Sequence, residues 1–497
     1  MSAQPAIRVL FASSEVFPLI KTGGLADVSY ALPKALHALG LDVRVLLPAY
    51  SSVKAQLSWV KTDIKIPLFS FLHQAPATIL EARLPDSDVP LYLLDCPMLY
   101  QREGGPYQDG MGNDWADNAL RFGLLSKAAA LFGEHQFDFK PDIIHCNDWQ
   151  TGLTPAYLHY SPRSQAKTLI SLHNVAYQGV FGSEVMGLLE LPPASFGMYG
   201  LEYYGLVSFL KAGIYYSNWI TTVSPTYALE IQTPTFGYGL AGLLAGRKQQ
   251  LTGILNGIDD HWNPHTDPYL AQNYDFSDQL KQDKFANKKA LCDRVGLSAE
   301  INTPLIGLIG RLTYQKGIDL ILPVLDQILA EKVQVVLLGS GDKGMEQQLQ
   351  ALASRYPQQL RVTLGYDESL AHQIEAGADL FLMPSRFEPC GLNQLYSMRY
   401  GTLPIVRHTG GLADTVTDVT PCHLDAGSAN GFVFAEETPE ALLQTVRRAL
   451  VLYRCPELWH TLQRHGMQRD LTWTGRAAEY LSLYQQVKGD DFSGSSI

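Results

Sequence analysis

The chain lacks most of the features that would set it apart from an ordinary globular protein. Its six cysteines, at 96, 146, 292, 390, 422 and 455, are scattered through 497 residues with no CxxC pair, a pattern of reduced thiols rather than of a disulfide framework or a zinc site. No HExxH or clustered His/Cys set occurs along the chain, and Asp86-Ser-Asp88, the nearest thing to a cation-holding D-x-D, sits between two strand-like runs and reads as a polar turn. No apolar run approaches the ~18 residues of a membrane span. The opening MSAQPAIRVLFASSE has neither the basic leader nor the long apolar core of a signal peptide, so a cytoplasmic protein without a membrane partner is expected. Basic residues are also in deficit. Lys and Arg number 38 against 49 Asp and Glu, a formal charge of −11, which argues against nucleic acid as a partner and requires any anionic ligand to be held by a local basic site.

What is present is a long alternation of two periods. IRVLFAS (7–13) has the unbroken apolar run of a strand buried on both faces, the apolar residues from Ala26 to Leu39 recur at helical spacing, Gly40 stops that helix, and LDVRVLLP is strand-like again. The order continues through PLYLLD (90–95), a helix around WADNALRFGLLSKAAALFG, DIIHCN ending at Asp148, TLISLHN ending at His173 and Asn174, and WITTVS (219–224), which closes the first half. It breaks down around TPTFGYGLAGLLAGRKQQ, passes a long polar insertion, and restarts with PLIGLIGR, VQVVLLGSG, LRVTLGY, DLFLMPS and LPIVRH. Two doubly wound α/β domains follow: 1–252 and 253–467, with a hinge near 253, a C-terminal helix at about 468–487 packing back on the first, and a polar tail at 488–497. Aromatic residues gather near the polar turns, Tyr107, Trp115, Trp149, Tyr177, Tyr203 and Tyr204 among them; flat faces beside hydrogen-bonding groups suit sugar rings, though boundary packing explains many of them as well.

The stretch 384–414, PSRFEPCGLNQLYSMRYGTLPIVRHTGGLAD, carries the most chemistry. It places Glu388, Cys390 and Gly391 in a strand-to-helix turn at the carboxyl end of a parallel strand, where ligands of open α/β sheets bind and where helix-terminal amides of Gly391, Leu392 and Asn393 face an anion. Glu388 is anomalous there, because a carboxylate opposes a phosphate unless it serves something else, such as ligand hydroxyls; an acidic helix N-cap is the plainer alternative. GRLTYQKG (310–317) supplies Arg311 and Lys316 just past another strand, a fork and a point charge suited to a pyrophosphate, or else a solvated pair. The hexapeptide TGGLAD occurs at 22–27 and again at 409–414, and in the first copy Lys21 and Gly24 stand at a helix entrance open to close backbone approach. Two such turns suggest facing sites on one cleft. The rival pattern is GSGDKG (339–344), a formal GxGxxG with Asp367 and Glu368 roughly twenty residues on, which would make a nicotinamide- or flavin-dependent oxidoreductase. Against it, the match lies on the second strand of its half, and Asp342 and Lys343 would crowd a pyrophosphate.

Taken together, SSEVFPLIKTGGLADV, WADNALRF, HCNDWQTGL, LHNVAYQG, GILNGID, GRLTYQKG, LGYDE, SRFEPCGLNQLYSMRYGTLPIVRHTGGLADTV and GFVF resemble bacterial glycogen synthases and plant starch synthases, glycosyltransferases of the two-Rossmann-domain GT-B fold. The resemblance covers nearly the whole chain. It implies retaining transfer of glucose from ADP-glucose to the non-reducing end of an α-1,4-glucan such as glycogen, with release of ADP and no cofactor or metal. It implies Arg311 and Lys316 on the donor diphosphate, Glu388 near the glucose hydroxyls, Asp148 and His173 on the sugar side, and the Gly24 amide at the distal phosphate. Lys21 matches the lysine of the KTGGL loop, Asn256 the asparagine just after the hinge, and Tyr366 the aromatic that stacks on the base. The first domain would take the acceptor and the second the donor. Asn393 and Gln150 stand where some relatives carry Thr or Ile and His. A non-catalytic glucan-binding protein is a further alternative, accounting for the aromatics but not for two cationic sites.

Overall fold

The computed structural model describes residues 6–489. Contacts divide the chain into two compact units, one ending at Asn256 and resuming at Trp473, the other being Gly257–Thr472.

The first unit is built on a nine-stranded sheet. Its parallel part runs, in spatial order, Leu251–Gly253, Trp219–Thr222, Lys167–Leu172, Ile143–Asn147, Arg8–Ala12, Asp42–Pro48 and Pro90–Asp95. Two antiparallel strands, Ala77–Arg83 and Val60–Ile66, finish that edge. The central strands are buried along almost their whole length because helices cover both faces, and such strands read as unbroken apolar runs. The edge strand Val60–Ile66 alternates exposed and half-buried residues instead. The sheet does not end at Trp219–Thr222 as the run WITTVS suggested: Leu251–Gly253 pairs parallel beyond it, Ile220 opposite Leu251. Three residues give too short a run for periodicity to register. The helix Trp473–Gly489 belongs to this unit, and its buried Tyr484 shares a hydrogen bond of 2.7 Å with His145 of a central strand. The helix therefore includes residues 488 and 489, expected as tail, while 490–497 lie outside the described residues.

The second unit holds six parallel strands in the order Leu360–Leu364, Gln334–Gly339, Leu305–Ile309, Leu380–Met383, Leu403–Arg407, Phe432–Phe434. Counted from Leu305–Ile309, that is 3-2-1-4-5-6, the dinucleotide-fold order. The direction of winding reverses between Leu305–Ile309 and Leu380–Met383, and the crevice beyond their carboxyl ends is where this topology binds ligands. In the first unit the corresponding reversal falls between Arg8–Ala12 and Ile143–Asn147.

Candidate active site

The loops leaving the two strands at the second unit's reversal are Gly310–Gly317 and Pro384–Leu392, and they carry Arg311, Lys316, Glu388, Cys390 and Gly391. Topology thus brings together residues some seventy positions apart. The Lys316 Nζ donates to Glu388 Oε2 at 2.6 Å, and the Ser385 hydroxyl donates to the same oxygen at 3.0 Å. Glu388 is buried and Lys316 about a quarter exposed, so the carboxylate is shielded while its cation keeps an open side. Glu388 is not a helix cap. The helix Asn393–Arg399 begins after Leu392 with no side-chain cap.

The backbone around Glu388 is held from behind. Gly411 N–H donates to its carbonyl at 3.0 Å, and a Cβ at Gly410, where φ is +43°, would lie 2.0 Å from that carbonyl oxygen. Gly410 and Gly411 belong to the second TGGLAD, so this copy serves as packing beneath the Glu388 loop. Gly391, with φ of +70°, turns the chain into the helix, and the Asn393 amide donates to the Ile309 carbonyl at 3.0 Å, pinning that helix to the neighbouring strand end. Cys390 is buried and Leu392 half-buried. Arg311 is exposed and donates to Gln315 at 3.2 Å. Arg386, a residue of the same loop with no role assigned from sequence, braces it: it chelates Asp319 at 2.5 and 2.8 Å, reaches Glu437 at 2.6 Å and lies 3.6 Å over the Tyr314 ring. Tyr366 follows the third strand of this sheet with its side chain largely exposed. Asn256 is buried at the end of the first unit, and its Oδ1 accepts no hydrogen bond.

In the first unit the strand Arg8–Ala12 leads to Glu15, a buried carboxylate that organises the first TGGLAD loop. It accepts from the Thr22 N–H and, at 2.6, 3.3 and 2.5 Å, from the Thr22 hydroxyl, the Gly23 N–H and the Tyr107 hydroxyl. The helix Gly24–Ala38 then starts with Gly24 exposed, and Lys21 pairs with Asp27 at 2.8 Å. Asp148 follows the adjacent strand with a positive φ of +53° and an extended ψ of −167°, and its carboxylate accepts the His173 N–H at 2.7 Å. The His173 ring shares a 3.0 Å hydrogen bond with the Asn147 side chain. Burial pushes the Asp148 carboxyl up to about 7 and the His173 imidazole down to about 4. His173 is therefore a neutral hydrogen-bonding ring near pH 7. Of the aromatic residues, Tyr107 and Trp149 pack with Phe122 in one cluster, whereas Tyr177 and Tyr204 remain exposed.

The rival glycine motif closes on itself. Cβ atoms at Gly339 and Gly341 would meet the Gly310 and Leu312 carbonyls at 1.9 and 2.4 Å, so these glycines serve strand-to-loop packing. Asp342 caps the following helix through the Met345 N–H, and the Glu346 carboxylate takes the Gly341 N–H at 2.8 Å. An internal carboxylate thus occupies a donor that a pyrophosphate would use. Asp86 lies in a turn with φ of +48°, and Arg83 pairs with Asp88 at 3.3 Å.

Two Rossmann-like α/β units, each with its cationic and polar residues beyond the carboxyl ends of the central strands, define a glycosyltransferase of the GT-B fold. Residues 8–246 match the model for the starch synthase catalytic domain, and 294–463 that for group 1 glycosyl transferases. Glycogen synthases of Nitrosospira multiformis and Nitrosomonas eutropha are 51% and 53% identical to it, in each case over 97% of this chain and 97% of the relative. The solved catalytic domain of starch synthase IV from Arabidopsis thaliana, bound to ADP and acarbose, superposes with a TM-score of 0.88 at 33% identity, covering 98% of this chain and 100% of that one. The chain belongs to the glycogen and starch synthase family.

Proposed function

We propose that the chain transfers glucose from ADP-glucose to the non-reducing end of an α-1,4-glucan, releasing ADP and retaining the anomeric configuration. The observation that carries this reading is the Lys316–Glu388 pair at the second unit's reversal point. Departure of ADP leaves an oxocarbenium-like sugar and a diphosphate gaining charge. Lys316 and Arg311 would stabilise the leaving group, and Glu388 would accept from glucose hydroxyls and oppose the positive charge on the ring. Without donor, Glu388 holds Lys316 in place; with donor, the ammonium is shared between carboxylate and diphosphate. The exposed Tyr366 ring is a platform for the base, and Cys390, Gly391, Leu392 and Asn393 would line the phosphates. These residues give the second unit the donor role. Asp148 and His173 belong to the first unit, which is proposed to receive the glucan; the resemblance assigns Lys21, Gly24 and Asn256, also of that unit, to the donor. Six free cysteines, two of them exposed, favour the reducing conditions of a cytoplasm. Among the described residues no helix is long and apolar enough to cross a membrane.

The test is elongation. The protein is incubated with glycogen and ADP-glucose, UDP-glucose or NAD, and incorporated glucose is measured. Donor-dependent elongation with ADP-glucose is expected; glucan binding without incorporation from any nucleotide sugar would refute the proposal.

A further inference from the structure

Two positions beyond Tyr366, three side chains of the second unit converge in a way the proposed sugar transfer does not use. His261, on the segment that opens this unit, meets Glu368 and His372, one turn apart on the helix Glu368–Gly377, with one ligand atom of each within 4.8 Å of the others. The His261 Nε2 lies 3.4 Å and the His372 Nε2 3.6 Å from Glu368 Oε1. Roughly 3.4 Å is the edge of a tetrahedron whose metal–ligand bonds are about 2.0–2.1 Å.

His372 supplies the second, independent sign. Its side chain is fully buried, yet its Nε2 has no hydrogen-bond partner. The other ring nitrogen, Nδ1, lies 2.7 Å from Asp267, whose carboxylate also accepts from the Tyr400 hydroxyl at 2.5 Å and the Tyr269 N–H at 2.9 Å. With its Nδ1 proton on Asp267, a neutral ring turns the Nε2 lone pair toward the Glu368 carboxylate, 3.6 Å away and beyond hydrogen-bond length. Such a pair of groups calls for a cation between them, either a second proton on the ring or a metal ion. Trp262 stacks on the ring at 3.7 Å and 7°, so the imidazole cannot turn away. A histidine oriented by a buried carboxylate through its far nitrogen is the arrangement that metal-ligating histidines use.

We propose that His261, Glu368 and His372 form a site for a divalent transition cation of the zinc class, fastening the segment around residue 261 to the helix Glu368–Gly377. Two imidazoles and one carboxylate suit zinc, cobalt or nickel and not magnesium or calcium, which prefer oxygen alone. His261 and Glu368 are each about a third exposed or a little less, so the fourth position opens to water.

The test uses the full-length chain freed of metal with a chelator, in a Cys422→Ser, Cys455→Ser background, because exposed thiols such as these compete for zinc as soft ligands. Zinc is titrated against a chromophoric chelator, and cobalt is added to record its visible spectrum. One equivalent of zinc is expected, unaffected by excess magnesium, with a cobalt spectrum free of thiolate bands. His261→Asn and Glu368→Gln, both at the solvent side of the cluster, should each lower the affinity about tenfold to a hundredfold, and neither depends on replacing the buried His372. Absence of a stoichiometric equivalent, displacement by magnesium, or unchanged affinity in His261→Asn would overturn the site and leave a protonated His372 held between Asp267 and Glu368.

Discussion

Replacing Glu388 with glutamine removes one charge and almost nothing else, and the consequences can be worked through. The carboxylate is buried with Lys316 at 2.6 Å and Ser385 at 3.0 Å, both on Oε2. An amide oxygen can keep both hydrogen bonds but not the ion pair. The Coulomb attraction lost is about 6 kcal/mol at 2.6 Å and an effective dielectric of about 20. The desolvation that Glu388 suffered is returned, and the partly exposed Lys316 regains hydration, so the net loss of stability should be about 1–2 kcal/mol rather than the ~3–5 of a fully buried pair broken on one side.

Turnover should respond far more. If the charge opposes the developing oxocarbenium ion, its removal should cost about 10²–10³ in kcat, or ~2.7–4 kcal/mol, as for one preorganised electrostatic group. ADP should bind equally well or up to about tenfold tighter, a gain of at most ~1.4 kcal/mol, because Lys316 no longer divides its charge between Glu388 and a phosphate. Incorporation of glucose into glycogen, calorimetry with ADP and thermal unfolding, all on one variant, separate the contributions. Near-wild-type turnover with a lowered melting temperature would refute the catalytic role. Turnover and ADP affinity falling together would show that Glu388 acts only by positioning Lys316.

Lys316→Ala should lower kcat/KM for ADP-glucose by about 10²–10³ while leaving the glucan KM within a few-fold, since a leaving-group cation acts on the donor; equal losses with both substrates in steady-state kinetics would remove Lys316 from the diphosphate. Gly410→Ala should cost about 1–3 kcal/mol for a non-glycine residue held at φ +43° and, by displacing the Glu388 carbonyl, lower turnover at least about tenfold; stability lost with kcat intact would uncouple that glycine from Glu388. With its pKa raised to about 7, Asp148 keeps a proton in the folded chain between roughly pH 4 and pH 7 that the unfolded chain has released, so its contribution to stability falls as pH rises through that window. Asp148→Asn, which keeps the side chain's size and shape at the φ of 53° and ψ of −167° that the aspartate already adopts, removes this dependence. Denaturant titrations should show the variant gaining on the parent by up to about 1.4 kcal/mol per pH unit across the window, and a flat or reversed difference would contradict the raised pKa.

The central strands were legible because both of their faces are covered: RVLFA and IIHCN carry apolar runs that a half-exposed strand could not. The edges were not, because Val60–Ile66 has too few buried positions and Leu251–Gly253 too few residues to make a period. Motifs at strand ends were legible as places but not as partnerships. From local sequence Glu388 meets only the amides of its own loop, and on those terms it is either a helix cap or a misplaced charge. Its partner arrives from position 316 because the winding reverses between Leu305–Ile309 and Leu380–Met383 and sets their two loops face to face. The same holds for GSGDKG: it has the letters of a phosphate loop, yet the glycines are spent on packing against Gly310 and Leu312, and Glu346 takes an amide that a phosphate would need. His261 and His372 are more than a hundred residues apart and neither stands out in the sequence; the one-turn spacing of Glu368 and His372 puts only those two on one helix face. A charge that looks unfavourable beyond a parallel strand is therefore best explained by the loop across the reversal point, and the strand order supplies that loop where a motif read alone cannot.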